Sequence, residues 1–143
     1  MRTSTRERLL DAADALFATR GIAATPVDAV LERAGVSSAT LYRGFASKEE
    51  LLAAVLERRH EEWIDTWDAV IDEASDADGR LLAVFDALDA FRERPRGSRW
   101  CAFLGAAAEY ADAPAEVARA VRADTDALRS RLARLAEDGG VSD

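Results

Sequence analysis

Between positions 25 and 48 the sequence gathers side chains suited to a polyanion. They are the hydroxyls of Thr25, Ser37, Ser38, Thr40 and Tyr42, the guanidinium of Arg43 and the ammonium of Lys48. An arginine can bond a guanine edge through two parallel N–H donors, and hydroxyls reach phosphates or bases. Catalytic chemistry has no comparable cluster. His60 and Cys101 are the only histidine and the only cysteine, they lie far apart in sequence, and their spacing makes no dyad. One cysteine excludes an internal disulfide and a multi-cysteine metal site, and His60 lacks a histidine or cysteine partner. No glycine-rich phosphate loop follows a strand. The chain is therefore not read as an enzyme, and no metal or cofactor is expected.

The elements that must position these groups read as helices, and no run alternates convincingly as a strand. Ser4-x-x-Glu7 has the pattern of a capping box ahead of Leu9, Leu10, Ala13, Leu16 and Phe17, and Gly21 closes that helix. Thr25-Pro26-Val27-Asp28 predicts a second helix, with Thr25 as cap and Val27, Val30, Leu31 and Ala34 inward. Gly35 ends it. A short third helix runs from about Ser37 to Arg43. Ser47-x-x-Glu50 is a second capping box, opening a long helix with the stripe Leu52, Val55, Leu56, Trp63, Trp67, Val70 and Ile71. Three further helices are expected. One carries Leu81, Leu82, Phe85, Leu88 and Phe91 and stops at Pro95. One is capped by Ser98 and carries Trp100, Phe103, Leu104, Ala107 and Tyr110. The last starts at Asp112-Ala113-Pro114, presents Val117, Val121, Leu128, Leu132 and Leu135, and ends at Gly139-Gly140.

Two short helices joined by Gly35-Val36 have the sequence form of a helix-turn-helix. Leu41 must face inward with Val36 and Phe45, the only large apolar groups there. At 100° per residue Ala39 and Arg43 then lie opposite, with Thr40 and Tyr42 on the flanks. That outward face is small, hydroxylic and cationic, as a helix lying in a major groove requires. Lys48 sits in the first turn of the fourth helix, where a cation opposes the helix dipole unless a phosphate answers it.

Charge is distributed consistently with this. The formal net charge of the 143 residues is −8, with 32% of them charged. Residues 1–52 are balanced, so the whole excess lies in residues 53–143. Only the N-terminal part can approach a polyanion. The skew of 18 arginines to one lysine reads as genomic composition rather than mechanism.

The run Gly35-Val36-Ser37-Ser38-Ala39-Thr40-Leu41-Tyr42-Arg43-Gly44-Phe45-Ala46-Ser47-Lys48-Glu49-Glu50-Leu51 resembles the signature of TetR-type transcriptional regulators. Ala12-Ala13 to Phe17 with Arg20-Gly21, and Thr25 with Ala29-Val30 and Ala34-Gly35, resemble that family's first two helices. The resemblance covers roughly residues 6–52. It implies an all-α protein of about seven helices: a three-helix DNA-binding domain over residues 1–47, then a helical ligand-binding and dimerisation domain over residues 48–143. It implies a dimeric repressor that leaves double-stranded operator DNA when a small molecule binds. Positions matching Thr25, Ser38, Thr40, Tyr42 and Lys48 would contact phosphates, and those matching Ala39, Tyr42 and Arg43 would approach bases. Ser37 completes the candidate set. Gly44 departs from the family, which usually carries tyrosine or histidine there. The chain also stops near where members add two helices that build the dimer, so this chain alone is expected to dimerise weakly.

The aromatics Trp63, Trp67, Phe85, Trp100, Phe103 and Tyr110, with His60, are the candidate lining of a pocket for a small apolar or aromatic effector. The competing reading is an ordinary helical core. Cys101 is expected to be a small buried thiol. Glu57, Glu61, Glu62, Asp65 and Asp68 read as a solvated face. No run approaches the roughly 20 apolar residues of a membrane span, and Met1 to Arg8 contain no apolar signal core. A cytoplasmic protein without membrane contact is expected. A function from another class remains open beside the regulator: a helical small-molecule-binding or protein-interaction module that does not bind an operator.

Overall fold

The computed structural model describes residues 1–94 and 101–141. Its regular structure among these residues is seven α-helices, with no strand: α1 (Thr3–Arg20), α2 (Val27–Ala34), α3 (Ser38–Gly44), α4 (Lys48–Glu73), α5 (Ala77–Glu93), α6 (Ala102–Glu109) and α7 (Ala115–Asp138). The expected Ser98 cap and Trp100 lie outside the described residues.

The chain divides into two compact units, one of residues 1–58 with 100–121 and one of residues 59–99 with 122–143. Helices α4 and α7 contribute residues to both. The core of the first unit is built from Leu9, Leu16 and Phe17 of α1, Val30 of α2, Leu41 of α3, Leu52, Val55 and Leu56 of α4, Ala102 and Ala106 of α6, and Val117 of α7. The second unit centres on Trp67, Ala87 and Leu135, with Trp63, Ile64, Val70, Ile71, Leu81, Val84 and Leu132 packed around them.

Local chemistry explains the helix ends. The Gly35 backbone is left-handed (φ 64°, ψ 43°). The Val36 N–H then donates back to the Leu31 carbonyl at 3.1 Å. That six-to-one bond closes α2 and turns the chain into α3, and a side chain at Gly35 would strain it. The Ser47 hydroxyl accepts the Glu50 N–H at 3.1 Å, and the Glu50 carboxylate accepts the Ala46 N–H. The second capping box thus forms, its carboxylate reaching one residue further back, to Ala46 rather than Ser47.

The first capping box does not form. Helix α1 begins at Thr3 with Arg2 at the N-cap and no side-chain cap. Its Glu7 is drawn away to Arg58, 2.9 Å from the guanidinium. Two other expectations are corrected. Cys101 is exposed, because α6 starts after it and leaves it at the N-cap. The apolar face of α5 is also different: Ala83 and Ala87 are buried, with Leu81 and Val84 beside them, whereas Leu82, Phe85 and Leu88 are exposed. Two apolar stripes run along α5, and the small-residue one packs because alanines permit close helix approach.

Candidate nucleic-acid interface

Helix α3 presents the surface expected of it. Leu41 is fully buried, Phe45 nearly so, and Val36 packs against the same core. Ser38, Ala39 and Arg43 are exposed, Tyr42 is 54% exposed, and Thr40 is half-buried. The Ser37 hydroxyl caps the helix, accepting the Thr40 N–H at 3.2 Å and lying 2.9 Å from the Thr40 hydroxyl. Arg43 folds back along α3, donating to the Thr40 hydroxyl at 3.3 Å and to the Ala39 carbonyl at 3.4 Å. These are long, solvent-exposed bonds that an exposed arginine gives up readily when a stronger acceptor is offered. Lys48 is the first residue of α4 and is half-buried.

Thr25 is placed differently. It is fully buried, Pro26 rather than Thr25 is the N-cap of α2, and the Thr25 hydroxyl donates toward the Gly21 carbonyl at 2.7 Å and the Leu16 carbonyl at 3.3 Å. Its side chain closes the turn after α1 and is not presented outward. Gly44 ends α3, and a side chain there would run into the Met1 thioether.

Contacts between residues distant in the chain hold this head. Arg58 of α4, its side chain 10% exposed, reaches three carboxylates of α1: Glu7 at 2.9 Å, Asp11 at 2.8 Å and Asp14 at 3.8 Å. Positions 7, 11 and 14 repeat at helical spacing, so the row was visible in the sequence but its partner was not. The Glu109 carboxylate of α6 accepts the backbone N–H groups of Ile22 at 2.7 Å and Ala23 at 2.9 Å. It thereby fixes the turn that leads into α2. The Tyr110 hydroxyl is pushed above its ordinary pKa of 10.0 by burial first, and then by Glu49, Glu109 and Glu116. Arg6 lies over the Phe45 ring, 5.1 Å from its centroid.

The aromatic candidates separate into two groups. Trp63 stacks against Trp67 at 5.4 Å and meets Phe91 edge-on at 5.8 Å, all in the second unit. Trp67 is fully buried, yet its indole N–H has no acceptor among the described residues. The Arg131 guanidinium lies 5.5 Å from its ring while pairing with Asp68. In the same unit His60 Nδ1 is 2.8 Å from Asp124 Oδ1, and Phe85 is exposed. Phe103 and Tyr110 pack against the core of the first unit. Among the described residues no group of three or more histidine, cysteine, aspartate or glutamate side chains could hold a metal ion, and no helix is long and apolar enough to cross a membrane.

Comparison with known proteins bears on this arrangement. A family model, "Bacterial regulatory proteins, tetR family", matches residues 9–55. The chain is similar to SCO4454, a TetR-family transcriptional regulator from Streptomyces coelicolor, at 32% identity and a TM-score of 0.85, over 96% of this chain and 72% of that one. It is 32% identical over 133 residues to the HTH-type transcriptional activator FasR of Mycolicibacterium smegmatis, covering 93% of this chain and 61% of FasR. It is 36% identical over 91 residues to the HTH-type transcriptional repressor KstR2 of Mycobacterium tuberculosis, covering 60% of this chain and 45% of KstR2. The chain thus spans less than two thirds of these two curated relatives.

Proposed function

The chain belongs to the TetR family of bacterial regulatory proteins, and on that footing we propose that it is a ligand-responsive, DNA-binding transcriptional regulator, a repressor that a small molecule releases from its operator. One observation carries the reading: α3 buries Leu41 completely and turns Ser38, Ala39, Tyr42 and Arg43 to solvent. That row suits a major groove, with Arg43 and Tyr42 near base edges and Ser38, Thr40 and Lys48 on phosphates. FasR is named an activator and KstR2 a repressor. Release from the operator on ligand binding fits a repressor.

The operator would be read by a homodimer, because two heads must meet half-sites roughly 34–36 Å apart. A protein that binds operator DNA would act in the cytoplasm. The effector would be small and apolar or aromatic, held in the second unit beside His60, Trp63, Trp67 and Phe85. The buried, unmatched indole N–H of Trp67 supports an apolar molecule carrying one hydrogen-bond acceptor. Trp63, Trp67 and Lys48 stand on the same 26-residue helix. A ligand that favours one placement of α4 would therefore shift the population competent for DNA. The test is selection from a random 30-base-pair duplex pool, followed by titration of the enriched duplex. Enrichment of one sequence supports the proposal, and failure of any duplex to bind overturns it.

A further inference from the structure

A cleft of about 500 Å³ opens between the first turn of α1 and α3, lined by Met1, Arg2, Thr5, Thr40 and Arg43. It brings together two guanidiniums and two hydroxyls, and no carboxylate lines it. In a chain of net charge −8 that is a local reversal of sign. The first turn of α1 holds no acidic residue to balance Arg2.

The geometry points to this cleft as a seat for a DNA phosphate, with Arg2 and Thr5 as contacts additional to those on α3 and α4. The inference rests on the proposed reading of α3. Thr40 and Arg43 belong both to the cleft wall and to the helix that would enter the groove, so a duplex engaged by α3 brings its backbone to the cleft mouth. A phosphodiester offers two charged oxygens that accept in parallel from a guanidinium. The Thr5 and Thr40 hydroxyls can donate to the same oxygens. An anion between Arg2 and Arg43 also relieves the repulsion of two like charges facing one opening. Arg43 borders the seat and still reaches the groove, since its bonds to Thr40 and Ala39 are long and exposed.

The test compares wild type, Arg2→Ala, Thr5→Val and Arg8→Ala, the last removing an exposed α1 arginine that does not line the cleft. Binding of a labelled 30-base-pair duplex is measured at 50 and 200 mM KCl, on a selected and on a random sequence. Arg2→Ala is expected to weaken both sequences equally and to lower the magnitude of the salt slope by about 0.9 per head, about 1.8 for the two heads on one duplex. Its deficit against wild type then narrows about 12-fold between the two salt concentrations. Thr5→Val should weaken both without changing the slope. Melting temperatures should be unchanged. If wild type binds and Arg2→Ala matches Arg8→Ala, the seat is refuted while the reading of α3 stands. If wild type binds no duplex, both fall.

Discussion

Arg58 fastens α4 to α1, and removing it should be costly in a specific way. Glu7 and Asp11 have side chains 45% and 52% exposed, so each contributes at most about 1 kcal/mol through its ion pair. Asp14 is different, with a side chain only 6% exposed, 3.8 Å from the guanidinium. Arg58→Ala removes a cation beside that buried carboxylate, a loss of about 3 kcal/mol. For a chain of 143 residues, at about 2.1 cal/mol/K of unfolding entropy per residue, this is roughly 10 °C in Tm. The buried Nε and Nη2 of Arg58 have no hydrogen-bond partner among the described residues. The pair is therefore imperfectly satisfied, and an apolar replacement of both partners should cost little. The assay is thermal unfolding followed by helical circular dichroism, on Arg58→Ala, Glu7→Gln and the double variant Asp14→Leu/Arg58→Leu. Arg58→Ala should lose about 10 °C, Glu7→Gln at most about 3 °C, and the double variant should recover most of the loss. A drop under about 3 °C for Arg58→Ala, or a double variant no better than the single one, would refute the reasoning.

Three further outcomes follow. Lys48→Ala should weaken binding about equally on all duplex sequences and lower the magnitude of the log–log salt slope by about 0.9 per head, about 1.8 in all; unchanged affinity and slope would make Lys48 a solvent-facing residue only. Tyr110 has a raised pKa, so below pH 10 its contribution to stability is fully present, and as pH rises from 10 toward the raised folded value the unfolded state ionises first and stability is lost. Urea titrations should show a steeper fall above pH 10 for wild type than for Tyr110→Phe, and parallel curves would contradict this. Glu109→Ala removes the acceptor of the Ile22 and Ala23 N–H groups. Amide exchange at those two positions should rise at least tenfold while core amides such as Leu52 hold, and an unchanged rate would mean that other acceptors close the turn.

Where the signal was local, the sequence carried it. Leu41 is the single large apolar group of a short helix, so one angular argument oriented the whole of α3. Ser47 and Glu50 find each other within one turn. The readings that failed were those settled by distant partners. Ser4-x-x-Glu7 has the same spacing as the second box, but Glu7 answers to Arg58, 51 positions later. Thr25 has the composition of a cap, yet its hydroxyl turns back to α1. On α5, Leu81 with Val84 and Leu82 with Phe85 are equally good stripes by period, and only the packed partner chooses between them. The Glu109 clamp joins residues 87 positions apart, and no pattern in the chain announces it. Arg2 and Thr5 become part of the α3 surface only once α1 and α3 are folded side by side.

The central claim is that α3 reads duplex DNA, and the direct measurement is the affinity for a duplex selected from a random pool, followed from 50 to 200 mM KCl. Two heads with two phosphate contacts each, from Lys48 and the Arg2 cleft, predict a log–log slope of about −3.6. Arg43→Ala should then cost about 1–3 kcal/mol of discrimination at one position of each half-site, a larger loss on the selected duplex than on random DNA. Absence of any enriched duplex, or binding indifferent to salt and to Arg43, would contradict the account.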